Sequence, residues 1–118
     1  MENNKNLFQQ ALEYHQTGNL KNAAELYLKI FKRHPEHVDV VFLIGTLYMQ
    51  TGNLDAANTF LRKAISLKPD HASAHNNLGT VLKEQGALNE AIVSYNNALV
   101  LKSEYAMAHS NLGNALKE

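Results

Sequence analysis

AHNNLGTVLKEQG, residues 74–86, returns 34 residues later as AHSNLGNALKE, residues 108–118, and the two copies agree at eight of eleven shared positions. A segment reused this faithfully at a fixed period marks an array of one small unit, so the period is read before any single residue. Steps of 34 from Asn4 divide the 118 residues into units 4–37, 38–71 and 72–105 and a partial unit 106–118, behind a three-residue polar lead, all in one array. The landmarks then align without gaps. Small residues recur at Ala11, Gly45, Gly79 and Gly113, glycines at Gly18, Gly52 and Gly86, and alanines at Ala23, Ala57 and Ala91. Tyr27, Leu61 and Tyr95 form another row, as do Ile30, Ala64 and Ala98, and Pro35, Pro69 and Ser103 close the units.

Each unit reads as two helices. Ala74, Leu78, Val81 and Leu82 fall at three- and four-residue steps, as do Leu88, Ala91, Ile92, Tyr95, Ala98 and Leu99, a period that a strand's alternation cannot reproduce. The glycine between the halves supplies the left-handed geometry that lets the first helix end and the chain reverse. Pro35 and Pro69 end the second helices, because the residue before proline is steered out of the α region. Asp70 is expected to cap the helix after it. The expected helices are 4–17, 20–33, 38–51, 54–67, 72–85, 88–101 and 106–117. Gly45, Gly79 and Gly113 sit in mid-helix, where glycine costs roughly 1 kcal/mol relative to alanine, so close helix approach is expected there.

Composition narrows the function. Hydrophobic residues make up 45%, enough for a folded core, and no apolar run approaches the ~20 residues of a membrane span. Eleven basic and eleven acidic side chains cancel, which leaves no field to attract nucleic acid or anionic lipid. The N-terminus MENNKNLFQQ has no secretory pattern, so a cytoplasmic location is expected. Without cysteine there are no disulfides and no thiolate metal sites or nucleophiles.

The 34-residue helix–turn–helix unit with L-G-x-x-[LY], a following Gly, A-x-x-x-[YL]-x-x-A and a closing proline resembles the tetratricopeptide repeat over residues 4 to 118. It departs from that pattern in three ways: Leu7, Val41, His75 and His109 stand for the usual early aromatic, Gln10 and Ala11 for the first L-G pair, and Ser103 for the third proline. The resemblance implies an all-α, right-handed solenoid of three full repeats plus the first helix of a fourth. First helices would line a concave groove and second helices form the outer wall.

On that resemblance the groove-lining places are the second, fifth, sixth, ninth, twelfth and thirteenth of each unit. The peptide-binding candidates they give are Phe8, Leu12, Phe42, Leu43, Thr46, Met49, Asn76, Asn77, Thr80, Lys83, Asn111 and Asn114, in a groove apolar toward its start and amide-rich toward its end. Phe8 and Phe42 either face the groove or turn inward between adjacent first helices. A carboxamide carries both donor and acceptor and can pair with any peptide bond. Asn77 and Asn111, one period apart, resemble the asparagine ladder of O-linked N-acetylglucosamine transferases, although Gln9 and Leu43 hold that place in the first two units. The cationic clamp of chaperone-tail-binding repeats is absent, since its places hold Phe8, Leu12, Leu43, Ser73 and Asn77.

Six histidines prompt a metal search, but neither His71 with His75 nor His34 with His37 gathers the three or four ligands a site needs. No nucleophile and base form a recognisable catalytic constellation. No enzyme activity, metal or cofactor is therefore expected. The leading expectation is a protein-interaction scaffold that holds a peptide or helix. One rival is the N-terminal recruiting module of a larger glycosyltransferase or sulfotransferase, which the opening L-x-x-Q-A-L-x-x-H-Q-x-G-x-L and the AHNNLG run resemble. The other is self-association through Leu112 and Leu116, which stand in the phase that Leu78 and Leu82 use against their own second helix. Those two leucines also suggest an excerpt from a longer array.

Overall fold

The computed structural model describes the backbone of residues 4–118 and the side chains from Asn6 onward. Seven helices follow one another: α1 (Asn4–Gln16), α2 (Leu20–Arg33), α3 (Val38–Gln50), α4 (Leu54–Leu67), α5 (Ala72–Glu84), α6 (Leu88–Leu101) and α7 (Ala106–Leu116). No strand occurs among the described residues. Each helix packs on the next, and α5 also touches α3 and α7, so the chain is a helical-repeat solenoid measuring 51 × 24 × 22 Å. None of the helices is long and apolar enough to cross a membrane, among the described residues.

Local chemistry accounts for the turns. Gly18, Gly52 and Gly86 adopt φ of 85°, 80° and 86°. After each, an amide reaches back five residues, from Asn19 to the Tyr14 carbonyl, Asn53 to Tyr48 and Ala87 to Leu82, at 2.8, 2.9 and 2.8 Å. This is the bond that closes a helix whose chain turns through a left-handed residue. The other turns place His34, Lys68 and Lys102 at φ of −136°, −142° and −144°. Ser103 thus follows the same conformation that Pro35 and Pro69 follow, and proline is dispensable there.

The N-cap of α5 differs from expectation. His71, not Asp70, is the N-cap of α5, its Nδ1 accepting the Ala74 amide at 3.1 Å, and His37 caps α3 in the same way through Val40 at 3.3 Å. An imidazole acceptor one residue closer to the helix satisfies an amide that the carboxylate was expected to take. His75 and His109 secure the preceding turns, each Nε2 bonding a carbonyl, that of Pro69 at 2.9 Å and of Ser103 at 2.8 Å.

The core runs the length of the array as three joined clusters. Leu7, Ala11, Tyr27, Ile30, Val40 and Ile44 close α1 to α3, whereas Leu61, Leu78, Val81, Leu82 and Tyr95 join α4 to α6. Val41, Ala64 and Ala74 bridge them, with Phe42, Phe60 and Ile65 packed alongside. Two of the mid-helix glycines permit close approach: a Cβ on Gly45 would lie 2.8 Å from Leu61 Cγ, and one on Gly79 would lie 2.6 Å from Tyr95 Cε1. Gly113 differs, with nothing within 4 Å of that position. On the same helix Leu112 is half-buried, while Leu116 is 63% exposed against 4% for its counterpart Leu82.

Candidate functional site

The first helices α1, α3, α5 and α7 are tied to one another by side-chain hydrogen bonds that cross from repeat to repeat. Asn111 on α7 donates through Nδ2 to Asn76 Oδ1 on α5 at 3.0 Å. Asn76 donates to Asn77 Oδ1 at 3.4 Å, and Asn77 donates to Thr46 Oγ1 on α3 at 3.1 Å. Three carboxamides and a hydroxyl therefore form one directed line across three repeats. The period explains it: the sixth place of one unit faces the fifth or ninth place of the unit before, and amides at those places meet.

The line closes one candidate and fixes two others. Asn76 is 1% exposed, so it stands inside the array rather than on the groove wall, and both ends of its amide are engaged within the protein. Asn77 and Asn111 are half-buried, and each is oriented by a hydrogen bond to the preceding repeat. An asparagine offers two N–H donors and an oxygen that accepts twice. Asn77 uses one donor and one acceptor site and Asn111 uses one donor, so each keeps capacity of both kinds.

Thr80 is half-buried and shares a 3.0 Å hydrogen bond with the Tyr95 hydroxyl; its own hydroxyl also donates to the Asn76 carbonyl at 3.4 Å. Burial raises the Tyr95 pKa, and the Thr80 bond offsets part of that rise. Lys83 pairs with Glu118 at 3.2 Å, and Asn114 is exposed.

The apolar candidates are divided between surface and core. Phe8 packs on the first core cluster with its ring centroid 5.6 Å from that of His37, and Phe42 packs on the second and third clusters 4.5 Å from His71. Both rings are half-buried, so each turns inward on one side and keeps an exposed edge. Leu12, Leu43 and Met49 are half-buried as well, Leu43 against the first cluster and Met49 against the second.

In the first two repeats this face pairs a half-buried aromatic with the helix cap of the following repeat, Phe8 with His37 and Phe42 with His71. His71 has its pKa lowered by burial first and then by the Lys68 charge, with Asp39 opposing. A neutral imidazole is the form that accepts the Ala74 amide. His15 forms a second node, with Nδ1 2.9 Å from the Tyr27 hydroxyl and Nε2 2.7 Å from Gln50 Oε1. Gln50 Oε1 can only accept, so Nε2 carries a proton, and in the neutral ring Nδ1 accepts from Tyr27. Burial pushes the Tyr27 phenol up to about 12.

Sequence reasoning did not find the capping roles of His37 and His71 or the His15–Gln50 bond. The available signal was the recurrence of a ring at the last place of each unit, as His37, His71 and Tyr105. Among the described residues no cluster of three or more potential metal ligands forms.

Models of the TPR repeat match residues 45–86 and 79–118, and a tetratricopeptide-repeat model matches residues 5–37. The Thermobaculum terrenum O-GlcNAc transferase is similar over 96% of this chain, at 34% identity and a TM-score of 0.91, and the chain spans 22% of that protein's length. The first TPR of Spaghetti, solved with the HSP90 peptide SRMEEVD, superposes with a TM-score of 0.92 at 18% identity over 97% of this chain and 90% of its own. The Arabidopsis OM64 TPR domain gives 0.93 at 16% identity over 98% of this chain and 95% of its own, and at such identities the likeness is one of fold. No curated protein sequence matches the chain. With most of the described residues matched by repeat models in the register of the 34-residue period, the chain belongs to the tetratricopeptide repeat family.

Proposed function

We propose that the chain is a non-catalytic module that holds a polypeptide segment along the face of its first helices. The fold is one that mediates protein–protein interaction, and a structural neighbour holds a peptide. The observation that carries the reading is the pre-set line Asn111–Asn76–Asn77–Thr46. Asn77 and Asn111 are already oriented by bonds within the protein, so a ligand's peptide bond would meet them without the ordering cost of a free side chain. The half-buried Phe42, Leu43 and Met49 on α3, the helix that carries Thr46, suit apolar side chains of the same segment. Cationic recognition of a terminal carboxylate is no part of the proposal, because Phe8, Leu12, Leu43, Ser73 and Asn77 occupy the places it would use.

An immobilised array of unstructured peptides tests the proposal. Peptides retained by the wild type are expected to lose at least tenfold in affinity to an Asn77→Ala, Asn111→Ala double variant. Backbone N-methylation of those peptides should have the same effect. Equal binding by the variant overturns it.

Two narrower readings each have an observation behind them. The 34% identity to an O-GlcNAc transferase, of which the chain spans 22%, favours a substrate-recruiting module of a larger transferase. Transplanting residues 4–118 in place of the corresponding repeats of that enzyme, with glycosylation of protein substrates as the readout, checks it. The uncovered Gly113 and the exposed Leu116 favour self-association through α7. A single monomeric mass at high concentration in light scattering eliminates that reading.

A further inference from the structure

The second-helix side of the array changes character between repeats. Between α2 and α4, the Phe60 ring lies 5.2 Å from that of Phe31 and 5.8 Å from that of Tyr48 on α3, so three half-buried aromatic rings pack together there. One period later the same three places hold Ile65, Ser94 and Leu82. Each ring has been replaced by a smaller side chain, and the space between α4, α5 and α6 opens as a cleft of about 470 Å³. Ile65, Leu78, Leu82 and Val93 line it, with Ser94 where Phe60 stood.

The surface around the cleft is also altered. Val93 is 59% exposed and Val100 85%, at places where α4 has Thr59 and Ser66 and α2 has Glu25 and Lys32. The outward side of a second helix gains nothing within the repeat from becoming apolar, and exposed apolar surface continuous with a concavity marks a contact site. The charges at the rim are mutually satisfied: Arg62 pairs with Glu90 at 3.6 Å, and its Nε donates to Asn58 at 2.6 Å. The rim therefore complements an uncharged group. The volume falls within the roughly 300–1,000 Å³ of ligand pockets, and buried aromatic anchors in such pockets dominate protein interfaces.

We propose that the cleft between α4, α5 and α6 is a binding site for a phenylalanine or tyrosine side chain presented by a partner polypeptide, which takes the place Phe60 holds one repeat earlier. The array supplies its own template, since the same place one repeat earlier packs a half-buried ring where the sequence provides one. The site lies apart from the first-helix face and does not depend on Asn77 or Asn111.

The test is a titration of the 15N-labelled chain with N-acetyl-phenylalaninamide, alongside the leucine and glutamate analogues. Saturable shifts are expected at Leu82, Val93, Ser94 and Asn97, with the leucine compound at least threefold weaker and the glutamate compound silent. Ser94→Phe, which refills the cleft from within, should abolish the shifts at unchanged helicity. Val93→Thr with Val100→Ser, which gives α6 the outer surface of α4, should weaken them and provides a second reading if Ser94→Phe fails to fold. Peptides selected on the wild type and counter-selected on Ser94→Phe should carry Phe or Tyr. Absence of saturable shifts, or shifts that persist in Ser94→Phe, overturns the proposal. So does a concentration-dependent mass that Ser94→Phe removes, because the occupant would then be a second copy of the chain.

Discussion

The ring of Phe42 lies 4.5 Å from the imidazole of His71, centroid to centroid and tilted by 34°, and that imidazole accepts the Ala74 amide through Nδ1. Phe8 and His37 repeat the arrangement one unit earlier at 5.6 Å, with Val40 as the amide donor. Each aromatic thus braces the residue that starts the next repeat's first helix. Its surface edge and its structural role cannot be separated by truncation.

Phe42→Ala should therefore destabilise the array by about 2–4 kcal/mol, below the roughly 3–5 kcal/mol of a fully buried phenylalanine because the ring is half-buried. Asn114→Ala, at an exposed position on α7, should stay within roughly 0.5 kcal/mol of wild type. Urea unfolding followed by circular dichroism measures both. Equal stabilities would show that the Phe42 ring contributes nothing to the joint between repeats.

Stability should fall with acid through His71. Its pKa is lowered in the folded chain, by burial first and then by Lys68, so the unfolded chain binds the proton more readily. The contribution is fully present above the unfolded histidine value of about 6.5 and is lost as pH drops from there through the lowered folded value. His71→Asn keeps a capping acceptor but cannot titrate, and its unfolding free energy should decline less steeply than that of wild type between roughly pH 7 and 5. Parallel slopes in the two proteins would dismiss His71 as the source.

The three mid-helix glycines should respond differently to alanine. Gly45→Ala and Gly79→Ala drive a Cβ to within 2.8 Å of Leu61 Cγ and 2.6 Å of Tyr95 Cε1, and should destabilise by about 1–3 kcal/mol through overpacking. Gly113→Ala meets nothing within 4 Å and should stabilise α7 by up to roughly 1 kcal/mol through helix propensity. Thermal melting of the three variants makes the comparison. A destabilising Gly113→Ala would mean that α7 is covered in solution.

Removing the central amide should cost more than removing the terminal one. Asn76→Ala strands Asn111 Nδ2 and Asn77 Oδ1, and a cost of about 1–3 kcal/mol is expected for the unpaired groups. Asn111→Ala, at the end of the line, should cost less. A double-mutant cycle between the two reports their coupling, and strict additivity would mean that the bond does not stabilise the fold.

Much of this architecture was legible from residue order. The seven helices fall within one residue of the spans expected from their apolar steps, and Gly18, Gly52 and Gly86 take the left-handed geometry their places demanded. Such features depend on a residue and its near neighbours in the chain, so a period of 34 displays them directly. The N-cap of α5 was not legible in this way, because Asp70 and His71 are adjacent and both can accept an amide; only backbone direction selects His71. Asn76 was placed on the groove by register alone, yet it is 1% exposed because Asn111 and Asn77 close over its two ends.

The sequence by itself determined the unit, its length, its turns and the small residues that let paired helices meet. The tertiary structure decided what the repeated places do. Asn77 and Asn111 share one place, but their partners come from the preceding repeats, and those partners differ. Phe60 and Ser94 likewise share a place, one packed against Phe31 and Tyr48 and the other opening on a cleft. A repeat specifies its own helices through local geometry, whereas the environment of a side chain between repeats is set by residues about 30 positions away, and these are brought together only when the units stack.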